Sequence, residues 1–217
     1  MTSKFSVSGQ HYLFSVQSFA QTVLALGEDE YAYEFKDRST QDAINDVANG
    51  LSELAILFQA SDIEKDLSLI FDAADLSFTN LADSAPRVAL PKAHPLSSRE
   101  SLTLEDLEPY PYTYFYQGSC VPDVFAEEAC AKYPRKKTIA CTDRASLSEL
   151  CVALNGYTIT SGILVGVTDG SLLTTVPLES DLTLHLGYVS QYDEELSEPA
   201  QIFISNLKKS LERYAFN

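Results

Sequence analysis

The feature that most constrains the fold is a regular alternation of short apolar runs and amphipathic stretches in the first 58 residues. Residues 5–8, 31–35 and 54–58 have the apolar or alternating composition of strands, and residues 12–26 and 40–49 carry apolar side chains at helical spacing. Strand, helix, strand, helix, strand with short loops predicts a parallel α/β sheet with right-handed crossovers.

The rest of the chain continues this rhythm less regularly. Pro122 suits the first turn of a further helix, and Ser146 begins a capping-box pattern. Pro199 opens the last helix, whose apolar residues have the strongest 3.6-residue period of the chain. Seven further strands are predicted at residues 67–74, 85–90, 112–116, 137–141, 157–160, 173–176 and 182–189. Irregular chain is expected between the first two of them.

Composition excludes several functional classes. The chain has 217 residues, with 31 acidic against 15 basic residues and a net charge of −16, so it is a poor candidate for binding nucleic acid by itself. It has no apolar run of about 18 residues, and its first residues lack a secretory signal, so we expect no membrane and a cytoplasmic location.

The residues that usually carry chemistry form no catalytic or metal-binding pattern. The four cysteines are ten or eleven residues apart and include no CxxC pair, so we expect free thiols and no zinc. The sequence lacks GxSxG, HExxH, GxGxxG and the P-loop motif. We therefore predict no catalytic residues, no metal and no cofactor.

Three predicted strand-to-helix turns are rich in small polar groups. In open α/β sheets, ligands bind beyond the carboxyl ends of the strands, where helix N-termini favour anions. Each hydroxyl taken singly is equally an ordinary N-cap, but three such turns from two units predict a cleft for a small, anionic ligand. The residues concerned are Ser8, Gly9, Gln10 and Tyr12 in the first turn, Arg38, Ser39 and Thr40 in the second, and Gln117, Gly118 and Ser119 in the third.

Several segments resemble a known family when taken in order. VALPKAHPL (residues 88–96) followed by LTLEDL (residues 102–107) resembles the "HPL … LEDL" region of LysR-type transcriptional regulators. DVANGLSELAI (residues 46–56) is similar to the "V..G.LDLAI" segment of that family, with Glu53 where an aspartate is usual. The helix and strand of residues 146–159 resemble the segment before a pocket-lining strand, without the proline that commonly ends it.

The resemblance implies the C-terminal effector-binding domain of such a regulator. The fold would be α/β, with two Rossmann-like lobes of the type 2 periplasmic-binding-protein fold and a ligand cleft between them. Lobe I would comprise residues 1–74 and 178–217, and lobe II residues 75–177. The resemblance also adds Thr160 and Ser161, at the end of a strand, to the effector site.

The same resemblance implies partners. A small-molecule effector would bind in the cleft, and DNA would be contacted only through an N-terminal winged helix-turn-helix that this chain lacks. Self-association as a homodimer or homotetramer would use the helix of residues 12–26 and the strand of residues 31–35. The acidic body leaves the charge of the effector open.

Three alternatives remain at this point. A transporter's solute-binding protein would share the two-lobe fold, and a small enzyme could be built on the same scaffold. Cys120, at a predicted helix start, could act as a thiol nucleophile or redox sensor if its pKa were lowered there.

Arg144, on a further turn, is a weaker candidate for holding an anion than Arg38.

Overall fold

Three parallel strands joined by two helices form the start of the chain, as the alternation predicts. A computed structural model describes residues 3–165 and 172–214. The strands of the first sheet are β1 (Ser3–Gly9), β2 (Tyr31–Asp37), β3 (Leu54–Ala60), β4 (Leu76–Ser84) and β10 (Leu184–Gln191). The helices packed around it are α1 (Leu13–Leu26), α2 (Thr40–Ala48), α3 (Glu64–Ala73) and α5 (Glu198–Tyr214).

The order of strands in this sheet is β2-β1-β3-β10-β4, and β10 runs antiparallel to both of its neighbours. Because β1 to β2 and β2 to β3 move in opposite directions, right-handed crossovers put α1 and α2 on opposite faces. Phe5, Phe19 and Phe203 join the sheet, α1 and α5 in one aromatic cluster. Every residue of β3 is buried, as expected for a strand covered on both faces.

A second set of strands forms two smaller sheets. β5 (Arg87–Pro91) lies between β8 (Thr158–Thr160) and β9 (Leu173–Pro177), and β6 (Tyr112–Phe115) pairs in parallel with β7 (Thr138–Cys141). A bridge between Tyr112 and Tyr157 links the two sheets. Helix α4 (Arg144–Ala153) packs against them. We call residues 3–84 and 184–214 the first body, and residues 87–165 and 172–179 the second body.

Residues 67–73 lie in α3 and Ala74 follows it in a turn, so the strand predicted at residues 67–74 is wrong. Leu67 and Phe71, four residues apart, are buried on one side of α3 while most of their neighbours are exposed. The chain that was expected to be irregular instead forms β4, which pairs with β10 along its whole length. β4 belongs to the first sheet, so the chain crosses between bodies after Ser84, not at residue 75.

Two predicted helix starts also differ. After Pro122 there is only a three-residue 3-10 helix, Asp123–Phe125, because Ala126 returns to extended backbone with a ψ of 135°. Helix α4 begins at Arg144, and its N-cap is Asp143, whose carboxylate accepts the Ser146 N–H at 2.8 Å. An aspartate is as good an N-cap as a serine, and it lies three residues earlier here.

Within residues 3–165 and 172–214, no helix combines the length and the apolar character needed to cross a membrane.

Candidate functional site: the cleft between the two bodies

A small cavity of about 80 Å³ lies between the two bodies, next to the carboxyl ends of β1 and β3. Larger cavities, of about 370 and 760 Å³, are each lined by one body alone, so a ligand there would touch a single body. The inter-body cavity is lined by His11, Tyr12 and Phe58 from the first body and by Phe115, Glu127, Glu128, Arg144, Thr160 and Ser161, among others, from the second.

The most deeply buried contact across the cleft joins His11 to Glu127. The backbone N–H of His11 donates to Oε1 of Glu127 at 2.8 Å, and Nδ1 of the imidazole lies 2.9 Å from Oε2. The two side chains are only 5% and 2% exposed. Both carboxylate oxygens of Glu127, in the second body, are therefore bound to His11 of the first body.

The environment of this pair shifts both pKa values upward. Burial lowers the pKa of His11, but the hydrogen bond and charge of Glu127 outweigh it, so the pKa is raised. Burial raises the pKa of Glu127. The His11 ring also stacks on Phe115, with ring centroids 3.9 Å apart and planes within 4° of parallel.

Two further contacts cross the cleft. The Thr40 N–H, at the N-terminus of α2, donates to Oε1 of Gln117 at 2.8 Å. At the rim, Nη2 of Arg144 lies 2.6 Å from Oδ2 of Asp37, with the side chains 19% and 36% exposed. The two bodies are thus held together from the buried end of the cleft to its edge.

Three of the predicted site residues are used inside the first body. The Ser8 hydroxyl, fully buried, donates to Asp46 at 2.6 Å, and the carboxamide of Gln10 donates to the Thr40 hydroxyl at 2.6 Å. The Gln10 carbonyl oxygen accepts the Phe58 N–H at 2.7 Å. These side chains fix the shape of the turns, while the backbone N–H groups next to them face the second body.

The other residues of the first two turns have mixed positions. Nε of Arg38 donates to Asp46 at 3.1 Å, so this guanidinium is already paired within the first body. Ser39 caps α2 by accepting the Asp42 N–H. A Cβ on Gly9 would lie 3.0 Å from the Ile56 carbonyl oxygen, so glycine allows β1 and β3 to approach there. Tyr12 lines the cavity, and burial raises the pKa of its phenol well above 10.0.

In the second body, Thr160 and Ser161 line the cavity, but Gly118 and Ser119 do not. Gly118 has a φ of 114°, and Ser119 lies on an exposed loop with its hydroxyl 2.8 Å from that of Tyr116. Cys120 is exposed and does not lie at the start of an α-helix, contrary to the position predicted for it. All four cysteines are free.

The site residues predicted from the sequence did not include His11, Phe115 or Glu127. Glu127 lies 116 residues from His11, and no local signal distinguishes it from the other acidic residues of the chain. The turn position of His11 was the one available clue. In the part of the chain that the structure describes, no cluster of three or more histidine, cysteine or carboxylate side chains is arranged to hold a metal ion.

Comparisons with known proteins agree with this architecture. The model of the LysR substrate binding domain matches residues 32–212. The QuiR effector-binding domain, solved in complex with shikimate, superposes with a TM-score of 0.65 at 15% identity, over 99% of each chain. The reduced OxyR regulatory domain of Pseudomonas aeruginosa superposes with a TM-score of 0.69 at 12% identity, over 96% of this chain and 98% of that one.

A putative LysR-family regulator of Pseudomonas aeruginosa, 13% identical, has a TM-score of 0.64 over 97% of this chain and 71% of its own. A search of curated proteins gave no match. At these identities the solved structures establish the fold, which is that of type 2 periplasmic binding proteins, and the match to the family covers most of the chain. The chain therefore belongs to the LysR substrate-binding-domain family, the effector-sensing part of LysR-type transcriptional regulators.

Proposed function

We propose that this domain senses a small-molecule effector that binds between its two bodies and changes the angle between them. The observation that carries the proposal is the position of the inter-body cavity, which receives side chains from both bodies beyond the ends of β1 and β3. A ligand that contacts both walls favours one relative orientation of the bodies, and so shifts a conformational equilibrium.

The proposed effector contacts combine backbone and side-chain groups. The N–H groups of His11 and Thr40 are donors at the turns after β1 and β2, and Tyr12, Thr160 and Ser161 supply hydroxyls from both walls. These groups suit a ligand with hydrogen-bond acceptors at one end. Ser8, Gln10 and Arg38 act indirectly, by holding the turns in place through Asp46 and Thr40.

Calorimetry against a panel of metabolites tests this proposal. The panel includes shikimate, which the solved QuiR domain holds, together with neutral and cationic compounds. Thr160→Val, on the cavity wall, is compared with Ser119→Ala, on the exposed loop outside it. We expect about a tenfold loss of affinity for the first variant and none for the second. Equal affinity of both variants for a confirmed effector would contradict this placement.

The regulatory role also implies partners for the domain. We propose that DNA is contacted through a separate winged helix-turn-helix, that the domain has no catalytic activity of its own, and that it works in the cytoplasm. A homodimer or homotetramer through α1 and β2 fits two features: β2 is an edge strand, and Leu24 and Tyr31 are 81% and 50% exposed. Sedimentation tests this, and a monomer at tens of micromolar would contradict it.

A further inference from the structure

The side chain of Glu127 lies in the cleft between the two bodies, at the position where a ligand would bind. We propose that Glu127 is an internal ligand that occupies the effector's anchoring donors, and that the effector carries a carboxylate which replaces that of Glu127. This inference rests on the proposed function of the cleft, because it identifies the chemical class of the effector and what competes with it.

The first argument is the geometry of the Glu127 carboxylate. Its two oxygens accept from two donors of one residue, the backbone N–H of His11 at 2.8 Å and Nδ1 of the imidazole at 2.9 Å. The carboxylate of a small molecule would be held through the same paired, charge-assisted contacts. The donors belong to the first body and the acceptor to the second. With a bound effector, the carboxylate of the ligand would be the acceptor instead.

The second argument is that another donor of the first wall is filled in the same way. The Thr40 N–H, at the positive end of α2, is taken by the side-chain oxygen of Gln117 from the second body. Two turns that sequence reasoning identified as anion sites are therefore both capped by second-body side chains. An effector with two acceptor groups could replace both.

The third argument is space. The inter-body cavity of about 80 Å³ is far below the roughly 300–1,000 Å³ of typical small-molecule sites. An effector therefore needs the room that Glu127 and its loop now fill.

The fourth argument is the segment that carries Glu127. Between β6 and β7 the described chain has a single 3-10 turn as regular structure, and Cys120 and Cys130 adopt left-handed backbone conformations with φ of 61° and 58°. Such conformations cost free energy in residues other than glycine. Removing a carboxylate from water is also costly. In an exchange, Glu127 regains the hydration that the effector's carboxylate loses, so exchanging the two costs less than adding a carboxylate to an empty site.

Chemical complementation by a small carboxylate tests the inference without knowledge of the natural effector. Sodium acetate is titrated into wild-type protein and Glu127→Ala at constant ionic strength and pH 6, and the imidazole signal of His11 is followed by NMR. With three histidines in the chain, this signal can be assigned from a His11 variant. We expect saturable acetate binding to Glu127→Ala, at least ten times tighter than to wild type.

Glu100→Ala, which removes an exposed acid of the same body, is the matched control and should bind acetate like wild type. Sodium chloride at equal concentration should not mimic acetate. If Glu127→Ala does not fold, Glu127→Gln decides, since its neutral amide competes less well for the His11 donors. Acetate binding no tighter than in wild type, in whichever variant folds, would overturn the inference.

The outcomes separate this inference from the proposed function. Acetate binding to Glu127→Ala, with a Thr160→Val effector affinity equal to that of Ser119→Ala, would contradict the effector placement and leave Glu127 as a carboxylate-site occupant. Effector binding in the cleft without acetate complementation would contradict the internal ligand alone.

Discussion

The two walls of the cleft carry opposite hydrogen-bonding chemistry in its buried part. The first wall presents backbone N–H groups, of His11 and Thr40, whereas the second presents the side-chain oxygens of Glu127 and Gln117. The rim pair reverses the direction, with Arg144 of the second body donating to Asp37 of the first. In the buried part, the donors of the first wall are therefore paired with the acceptors of the second. A ligand must compete with these side-chain acceptors.

The walls also differ in how their groups are held. On the first wall, the Ser8 hydroxyl donates to Asp46, and the carboxamide of Gln10 donates to the hydroxyl of Thr40. On the second wall, Glu127 and Gln117 lie in the irregular chain between β6 and β7. The internal-ligand proposal requires a rigid donor wall and an exchangeable acceptor wall, and the following predictions test that difference in order of decreasing effect.

Breaking the support of the first wall should have the largest effect. Asp46→Ala removes the acceptor of the Ser8 hydroxyl and of Nε of Arg38, leaving a buried hydroxyl without this partner. We expect a loss of about 2–3 kcal/mol in the free energy of unfolding, measured by urea denaturation. Asp42→Ala, an exposed acid of the same helix, should cost less, about 0.5–1 kcal/mol, because it removes only helix-end interactions. Equal losses would contradict the assignment.

Thr40→Val should have the next largest effect. The buried carboxamide of Gln10 donates to the Thr40 hydroxyl, and valine leaves this donor without its partner. The expected loss is about 1–2 kcal/mol in the free energy of unfolding, while Thr40→Ser, which keeps the hydroxyl, should lose less than half of that. Chemical denaturation of the pair separates the hydroxyl's role from that of the methyl group.

The contact between the walls should weaken as the pH rises. The pKa of His11 is raised above 6.5 by Glu127, so its contribution is complete below about pH 6.5 and is lost as the pH rises through the elevated folded-state value. The raised pKa of Glu127 acts in the same direction. The difference in melting temperature between wild type and Glu127→Gln should therefore shrink from pH 6 to pH 9.

Other charges face this pair, namely Asp37, Arg144, Glu128 and Asp143. They are present in both proteins, so the comparison at each pH removes their shared contribution. A constant or growing difference between the two proteins would contradict the sign derived for His11.

The rim pair should matter least. Arg144→Gln breaks the contact with Asp37, whose side chain is 36% exposed, and solvent-exposed ion pairs contribute only about 0–1 kcal/mol. We expect a change in the free energy of unfolding below 1 kcal/mol, decreasing further at high salt. A loss above about 2 kcal/mol would mean that the rim, not the buried part, holds the walls together.

Much of the first body could be predicted because its signals are local. β1, α1, β2, α2 and β3 follow the predicted order, and the Ser39 cap of α2 is confirmed. Helix α3 was missed because a ten-residue helix with two fully buried apolar positions resembles a short apolar strand. β4 was missed because its half-exposed residues gain their strand identity from pairing with β10, about 100 residues later.

The site divides in the same way. Sequence alone determined the α/β rhythm, the polar turns after β1 and β2 and the resemblance to the family, because periodicity, capping and ordered motifs are properties of neighbouring residues. Only the tertiary structure decided that Ser8, Gln10 and Arg38 serve the turns, and that Glu127 and Gln117 fill the cleft. Those contacts join residues 30 to 116 positions apart, apart from the eight-residue Arg38–Asp46 pair. They depend on tertiary packing within the first body and, for Glu127 and Gln117, on how the two bodies pack.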